Sequence, residues 1–217
     1  EPLEAFYKTL NYESLLTRFR KLIQIITTGI FYNKYLYFFG KYIVALGYKA
    51  SFFKGSTPYE EYEGRVSSDF VSKLGLTQLL FTNTQFKRLE VISKTNNRNF
   101  LYIQESLKNN GFFVLGDISK NHFPVSSRVA FLLKDPKSAF EWFADKGIEL
   151  GTWFSEPLST LPLFNFEADK YPNTQFISKH IVNLPCHNKV TIDDLKWLDE
   201  IIKTYAEENP NQIYINL

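Results

Sequence analysis

The stretch from residue 136 to residue 205 constrains the fold most, because turn residues cut it into short elements in a fixed order. Pro136 opens a run with helical spacing that Gly147 stops. Ile148 to Phe154 reads as a strand, and Pro157 breaks the loop that follows. Asn173 to His180 reads as a short helix, and Ile181 to Leu184 as a strand that ends in Leu184-Pro185-Cys186-His187. Thr191 caps a last helix to Tyr205, with Asp193 and Asp194 in the first turn, where the helix dipole favours carboxylates.

Upstream, Phe112 to Leu115 and Arg128 to Leu133 read as two further strands, joined by a loop that holds His122 and Pro124. Before them, Phe70, Val71, Leu74, Leu79, Phe86, Leu89, Val91, Ile92, Phe100, Ile103 and Leu107 keep helical spacing up to Gly111. An unbroken helix from residue 68 to 110 would span about 60 Å, and a bend is expected near Gly75 or between Thr82 and Thr84. The predicted fold class is α/β in the α+β sense. A long helix leads into a small, mostly antiparallel sheet with packed helices, and an amphipathic helical hairpin precedes it. The predicted division is 1–62, a lead-in with a basic helical insertion, and 63–217, the long helix with a C-terminal small domain.

Residues 14–54 differ in kind from the rest. They hold Arg18, Arg20, Lys21, Lys34, Lys41, Lys49 and Lys54, and no Asp or Glu. Leu15, Leu16, Phe19, Leu22, Ile23, Ile26 and Ile30 fall on one helical face, with Arg18, Lys21, Gln24 and Thr28 mostly opposite. Asn11 or Ser14 can cap this helix, and Gly29 sits near its end. A second run, Phe31 to Gly47, is crowded with Tyr and Phe. Neither run offers about 20 uninterrupted apolar residues, so a transmembrane span is not expected. Two readings remain: a pair of core-packed helices with solvated lysines, or a basic aromatic hairpin that makes peripheral contact with a membrane or a partner.

Composition narrows the function classes. Hydrophobic residues make up 44% and charged residues 22%, which fits a globular chain and not a disordered one. A net charge of +2 implies no strong polyanion partner, so nucleic acid is not expected. The single cysteine excludes an internal disulfide and fits a reducing compartment. With no charged leader or small-residue cleavage site, the chain reads as cytoplasmic, with a membrane-peripheral location as the second option. It starts at Glu1 and holds no Met, which reads as a fragment or a processed chain.

Few residues offer catalysis. His122, His180 and His187 have no metal-ligand spacing with one another or with Cys186, so no metal site is expected. Cys186 and His187 are adjacent, and neighbours on a strand point to opposite faces, which argues against a nucleophilic pair. No Gly-x-Gly-x-x-Gly or P-loop is present. Ser51-Phe52-Phe53-Lys54 has Ser-x-x-Lys spacing but lacks the further motifs of an acylase. Lys54 reads as a solvated lysine of the basic face, and no catalytic residue is assigned.

Three segments in order carry a family resemblance. Gly64-Arg65-Val66-Ser67-Ser68 through Leu74-Gly75-Leu76-Thr77-Gln78-Leu79 is similar to an Asn-Tyr-Arg-Met-Ser…Leu-Gly-Leu-x-Gln-Leu segment of the DegT/DnrJ/StrS aminotransferases. Gly147-Ile148-Glu149-Leu150-Gly151-Thr152-Trp153-Phe154-Ser155-Glu156-Pro157-Leu158 is similar to their Gly-Ile-x-Thr-x-x-His-Tyr-Pro-x-Pro-Leu segment, and Leu184-Pro185-Cys186-His187 to their Leu-Pro-x-His turn. The insertion at 14–54 resembles one found in members linked to surface polysaccharides.

The resemblance covers about residues 60–205. It implies a fold-type-I enzyme that uses pyridoxal phosphate (PLP) to aminate nucleotide-linked keto sugars of the perosamine type, and that works as a homodimer. It also implies that this chain is the C-terminal small domain, with the catalytic half upstream of Glu1 and the cofactor lysine not in this chain. Candidate substrate or cofactor contacts fall by resemblance to Arg65, Trp153, Ser155 and His187, the last read more as a turn or domain-contact residue than as a substrate contact. Several positions depart from the family pattern. Gly64 stands near the family's Asn, Arg65 is one residue off the register where Val66 falls, and Val71 replaces a Gln. Trp153-Phe154-Ser155 replaces His-Tyr-Pro. A divergent member with another substrate and a degenerate member both fit these departures.

Overall fold

The structure is a computed structural model, and it describes residues 2–33, 35–53, 55, 64–65, 72–73, 75–116, 123–152, 157, 167 and 170–214. Its contacts divide the chain into two compact units, Glu1–Lys87 and Arg88–Leu217. The arrangement is mostly helical with small sheets, the α+β architecture that the pattern of elements predicts.

In the first unit, Pro2–Thr9 forms helix α1 where the sequence reads only as a lead-in. Its single i,i+4 pair, Lys8 with Glu4 at 3.3 Å, is exposed, so local sequence gives little sign of it. Strand β1 (Asn11–Tyr12) pairs in parallel with β2 (Ser72–Lys73), Asn11 opposite Ser72. Helix α2 runs Leu15–Phe31, and of the two candidate caps it is Ser14 whose hydroxyl accepts from the Thr17 amide at 3.1 Å.

Helix α3 (Tyr37–Lys49) contacts α2 through a thin stripe in which Gly40 and Val44 are buried. The approach is closest at Gly40, which has no side chain. A Cβ on Gly40 would stand 2.5 Å from the Phe31 Cβ and 2.7 Å from its carbonyl oxygen, and one on Gly47 would overlap the Phe53 ring.

Helix α4 spans Leu76–Asn109, about 51 Å at 1.5 Å per residue. It starts directly after Gly75, one of the two sites where a bend is expected, and runs without interruption through Thr82–Thr84. The boundary between the units falls within it, after Lys87. The helix predicted from residue 68 begins only at Leu76: Ser72–Lys73, inside the predicted span, pair as strand β2 instead, and residues 68–71 lie outside the described residues.

The second unit is built on an antiparallel pair. Strand β3 (Arg128–Leu132) faces β4 (Ile181–Pro185), with Val129 opposite Leu184 and Phe131 opposite Val182. Two bridges widen it: Val114 pairs with Phe131 on one side and Gly151 with Asn183 on the other, both antiparallel. The strands predicted at 112–115 and 148–154 are thus reduced to these single bridges among the described residues.

Side chains alternate across the pleat. Val129, Phe131, Val182 and Leu184 point to one face and are fully buried. They join Phe100, Ile103 and Leu107 of α4, Phe143 of helix α5 (Pro136–Asp145), and Leu195, Leu198, Ile202 and Tyr205 of helix α7 (Ile192–Glu208) in one core. Helix α6 (Pro172–His180) leads directly into β4.

Local chemistry explains the boundaries. Asp135 caps α5 by accepting from the amides of Lys137 and Ser138, and Pro136 occupies its first turn. Gly147 ends the segment at φ 79°, a left-handed conformation that glycine adopts without steric cost. Thr191 and Asp194 form a reciprocal capping box at the start of α7.

Candidate functional site

Of the residues singled out from the sequence, His187 is the one whose surroundings are most fully built. It closes β4: Pro185 is the last strand residue, and Cys186 donates its amide to the Ser127 carbonyl at 2.9 Å. The His187 carbonyl accepts from the Val190 amide at 2.9 Å, which folds the chain into a turn ahead of α7.

Asn99, fully buried on α4, clamps this turn. Its Nδ2 donates to the carbonyls of His187 at 3.2 Å and Val190 at 3.0 Å, and its Oδ1 accepts from the Arg98 guanidinium at 2.9 and 3.1 Å. A buried amide with partners on both ends is worth keeping, because the same amide without them would carry its full desolvation cost.

The ring itself is half-buried. Its Nδ1 accepts from the Lys189 amide at 3.2 Å, so the neutral ring carries its proton on Nε2. Burial, with the cations of Lys189 and Arg128 nearby, holds the imidazole below its ordinary pKa. His187 is therefore a neutral Nε2–H donor near pH 7.

Cys186 is a different matter. Its side chain is fully buried, its thiol lies 3.4 Å from the Ser126 carbonyl, and burial pushes its pKa up to about 12. A thiol so held is not a nucleophile at neutral pH, which agrees with the strand-face argument against a Cys186–His187 pair.

The other face of the sheet carries Arg128 and Asn183. Asn183 exchanges two backbone hydrogen bonds with Gly151, at 2.8 and 2.9 Å. The Arg128 guanidinium occupies the space that a side chain at residue 151 would need. Gly151 thus admits Arg128 beside the segment that leads to residue 153. An open recess of about 550 Å³ lies in the same unit, lined by Lys134, Lys137, Phe140, Thr152, Lys179 and Ile181, among others.

The remaining expected contacts are placed as follows. Arg65 is exposed and belongs to the first unit, whereas His187 belongs to the second. Trp153 and Ser155 lie outside the described residues, as do His122 and Lys54. His180 stacks against Phe176 at 4.6 Å, and its Nδ1 lies 3.0 Å from the Leu133 carbonyl, a structural role. Among the described residues no group of three or more His, Cys, Asp or Glu can hold a metal ion.

Sequence reasoning missed Asn99, Asn183 and Arg128. The signal for the first two was a polar residue on an otherwise apolar face: Asn99 beside Phe100 and Ile103, and Asn183 within Ile181–Leu184.

A PLP cradle needs a lysine amine, a carboxylate for the ring nitrogen and a stacking aromatic ring. In the recess, Lys134 and Asp135 meet that description by type. However, the Asp135 carboxylate is committed to capping α5, and Lys134 sits over the Tyr214 ring at 5.8 Å. This pair does not fit the cofactor.

Comparison with known proteins is consistent with this partial site. The model of the DegT/DnrJ/EryC1/StrS aminotransferase family matches residues 55–203. No curated protein matches the chain at a significant level. Among solved structures the chain is similar to Spr1654 of Streptococcus pneumoniae, assigned as a sugar aminotransferase. With its PMP form it shares 16% identity and a TM-score of 0.50, over 58% of this chain and 33% of that one. The PLP form gives 16% identity and a TM-score of 0.50, over 58% and 34%. A DegT DnrJ EryC1 StrS aminotransferase from Brucella abortus shares 16% identity and a TM-score of 0.52, over 70% and 40%. At such identities the likeness is one of fold. The chain spans about a third of the length of the first of these structures.

Proposed function

The chain belongs to the DegT/DnrJ/EryC1/StrS aminotransferase family, and from that premise we propose that it is the C-terminal part of a PLP-dependent sugar aminotransferase. The substrate is a nucleotide-linked keto sugar of the kind used in surface polysaccharides, perosamine-type sugars among them. In this reading residues 1–62 are a lead-in with a basic helical insertion, and 63–217 are the connecting helix and small domain. The cofactor and its lysine belong to the catalytic portion of the protein, and the working enzyme is a cytoplasmic homodimer.

The observation that carries this reading is the family match from residue 55 to 203. It takes in Arg65, the Gly147–Leu158 segment and the Leu184–His187 turn together. The built turn supports a contact role for its end: His187 is a neutral donor whose carbonyl is tied to α4 by Asn99. Arg65 supplies a positive charge suited to an anionic substrate or cofactor group, and Trp153 and Ser155 supply a ring face and a hydroxyl. PLP, when bound, acts as the electron sink that lets an amino group pass between donor and sugar. This chain's part is to position the sugar and exclude water from the cleft.

The test is titration of PLP into the full-length protein and into residues 1–217 alone, read by visible absorbance, followed by addition of L-glutamate. The full-length protein is expected to bind PLP and to change spectrum with the donor, and residues 1–217 to do neither. A full-length protein that binds no PLP would sink the reading.

A further inference from the structure

Most of the apolar face of helix α2 turns outward. Leu15, Leu16, Phe19, Ile26 and Ile30 are between 45% and 80% accessible, while Leu22 and Ile23 of the same face are half-buried. Its polar side is the half-buried one. Lys21 pairs with Glu13, Gln24 Nε2 donates to the Tyr48 hydroxyl at 3.1 Å, and Arg18 packs against Gly75. No residue of α2 is buried.

Helix α3 repeats the arrangement. Gly40 and Val44 face inward, while Phe38, Phe39, Tyr42 and Leu46 are each more than 60% exposed. Lys41 stands over the Phe38 and Tyr42 rings at 5.7 and 5.4 Å, and Lys49 is exposed in the last turn. Exposed apolar area on this scale is uncommon on a free surface and marks a binding face.

Charge says what kind of surface covers it. Residues 14–54 hold seven Lys or Arg and no Asp or Glu; among the described ones Lys41 and Lys49 are exposed, whereas Arg18, Arg20 and Lys21 are half-buried. A second copy meeting this face about a twofold axis would set these lysines against their own copies with no carboxylate from the segment to answer them. A bilayer with anionic headgroups answers both features, the apolar side chains and the flanking cations. Exposed Tyr32, Tyr35 and Tyr42 suit the boundary, since each has an apolar ring and a polar tip. Among the described residues no helix is long and apolar enough to cross a membrane, so contact is with the surface.

We propose that the α2–α3 hairpin docks on an anionic lipid surface, its outward apolar faces in the headgroup boundary and Lys41 and Lys49 on the headgroups. The inference goes beyond the aminotransferase reading and leaves the proposed contact residues untouched.

The test is co-sedimentation of the full-length protein with phosphatidylcholine vesicles, with and without phosphatidylserine, at low and high salt. The protein is expected to bind the phosphatidylserine vesicles, more weakly as salt rises. Two variants at exposed positions, Phe38→Ser/Phe39→Ser/Leu46→Ser and Lys41→Glu/Lys49→Glu, are each expected to weaken binding by about tenfold or more, with helical content by circular dichroism unchanged. Amination without vesicles is expected to be the same in both variants, so failure of this inference and failure of the functional reading are separable. Equal binding with and without phosphatidylserine, no binding at low salt, or variants that bind like the parent would overturn the proposal. So would an apolar variant that changes the oligomeric state of the vesicle-free protein, because that outcome assigns the face to a protein partner.

Discussion

Three side chains around the end of β4 carry the most testable chemistry. Asn99 is the clamp: Asn99→Ala leaves the His187 and Val190 carbonyls without this donor in a buried site, and should cost about 1–3 kcal/mol in a denaturant melt. An unchanged midpoint would mean that water replaces the amide. His187 sets a pH dependence. Its folded pKa is lowered from 6.5, so the unfolded chain takes up the proton first as pH falls. Its contribution is fully present above pH 6.5, is lost as pH drops from there toward the folded pKa, and stays lost below it. An NMR titration of the His187 ring should show a midpoint below 6.5, and His187→Gln should remove this part of the acid sensitivity. Cys186 gives the third prediction. With its pKa near 12 and its side chain fully buried, the native thiol should resist alkylation at pH 8 and react once the chain is unfolded. Rapid native labelling would contradict the burial.

At the scale of elements, what was legible in the sequence is what local chemistry decides. The capped start of α7, the proline start and glycine stop of α5, and the Leu184-Pro185 end of β4 all depend on residues within a few positions of one another. Gly147 tests this directly. At φ 79° an alanine is strained although the space around it is open, so Gly147→Ala should cost about 1–2 kcal/mol in thermal or chemical unfolding. What was not legible depends on distant partners. The bonds from Asn99 close over separations of 88 and 91 residues, and no window of sequence shows them. Helix α2 shows the converse. Its apolar face is plain from periodicity, but periodicity does not say whether a face turns inward or out, and in the structure most of it turns out, with Leu22 and Ile23 half-buried.

At the scale of the whole molecule, the chain belongs to its family and spans part of the length of its solved relatives. The family match takes in three segments that the sequence placed in order, and the fold likeness covers about a third of the first solved relative. The Lys134–Asp135 neighbourhood does not fit PLP, because its carboxylate caps a helix and its lysine lies over a ring. We propose that this small domain positions substrate while another portion of the protein holds the cofactor. The most direct test of that account is steady-state amination of a nucleotide-linked keto sugar by the full-length protein with PLP and L-glutamate, for the parent and for Arg65→Ala. The account predicts product from the parent. For the variant it predicts a KM for the sugar raised by about tenfold, with kcat within about threefold, the signature of lost substrate binding. No product from the parent, or a variant with unchanged KM, would contradict it.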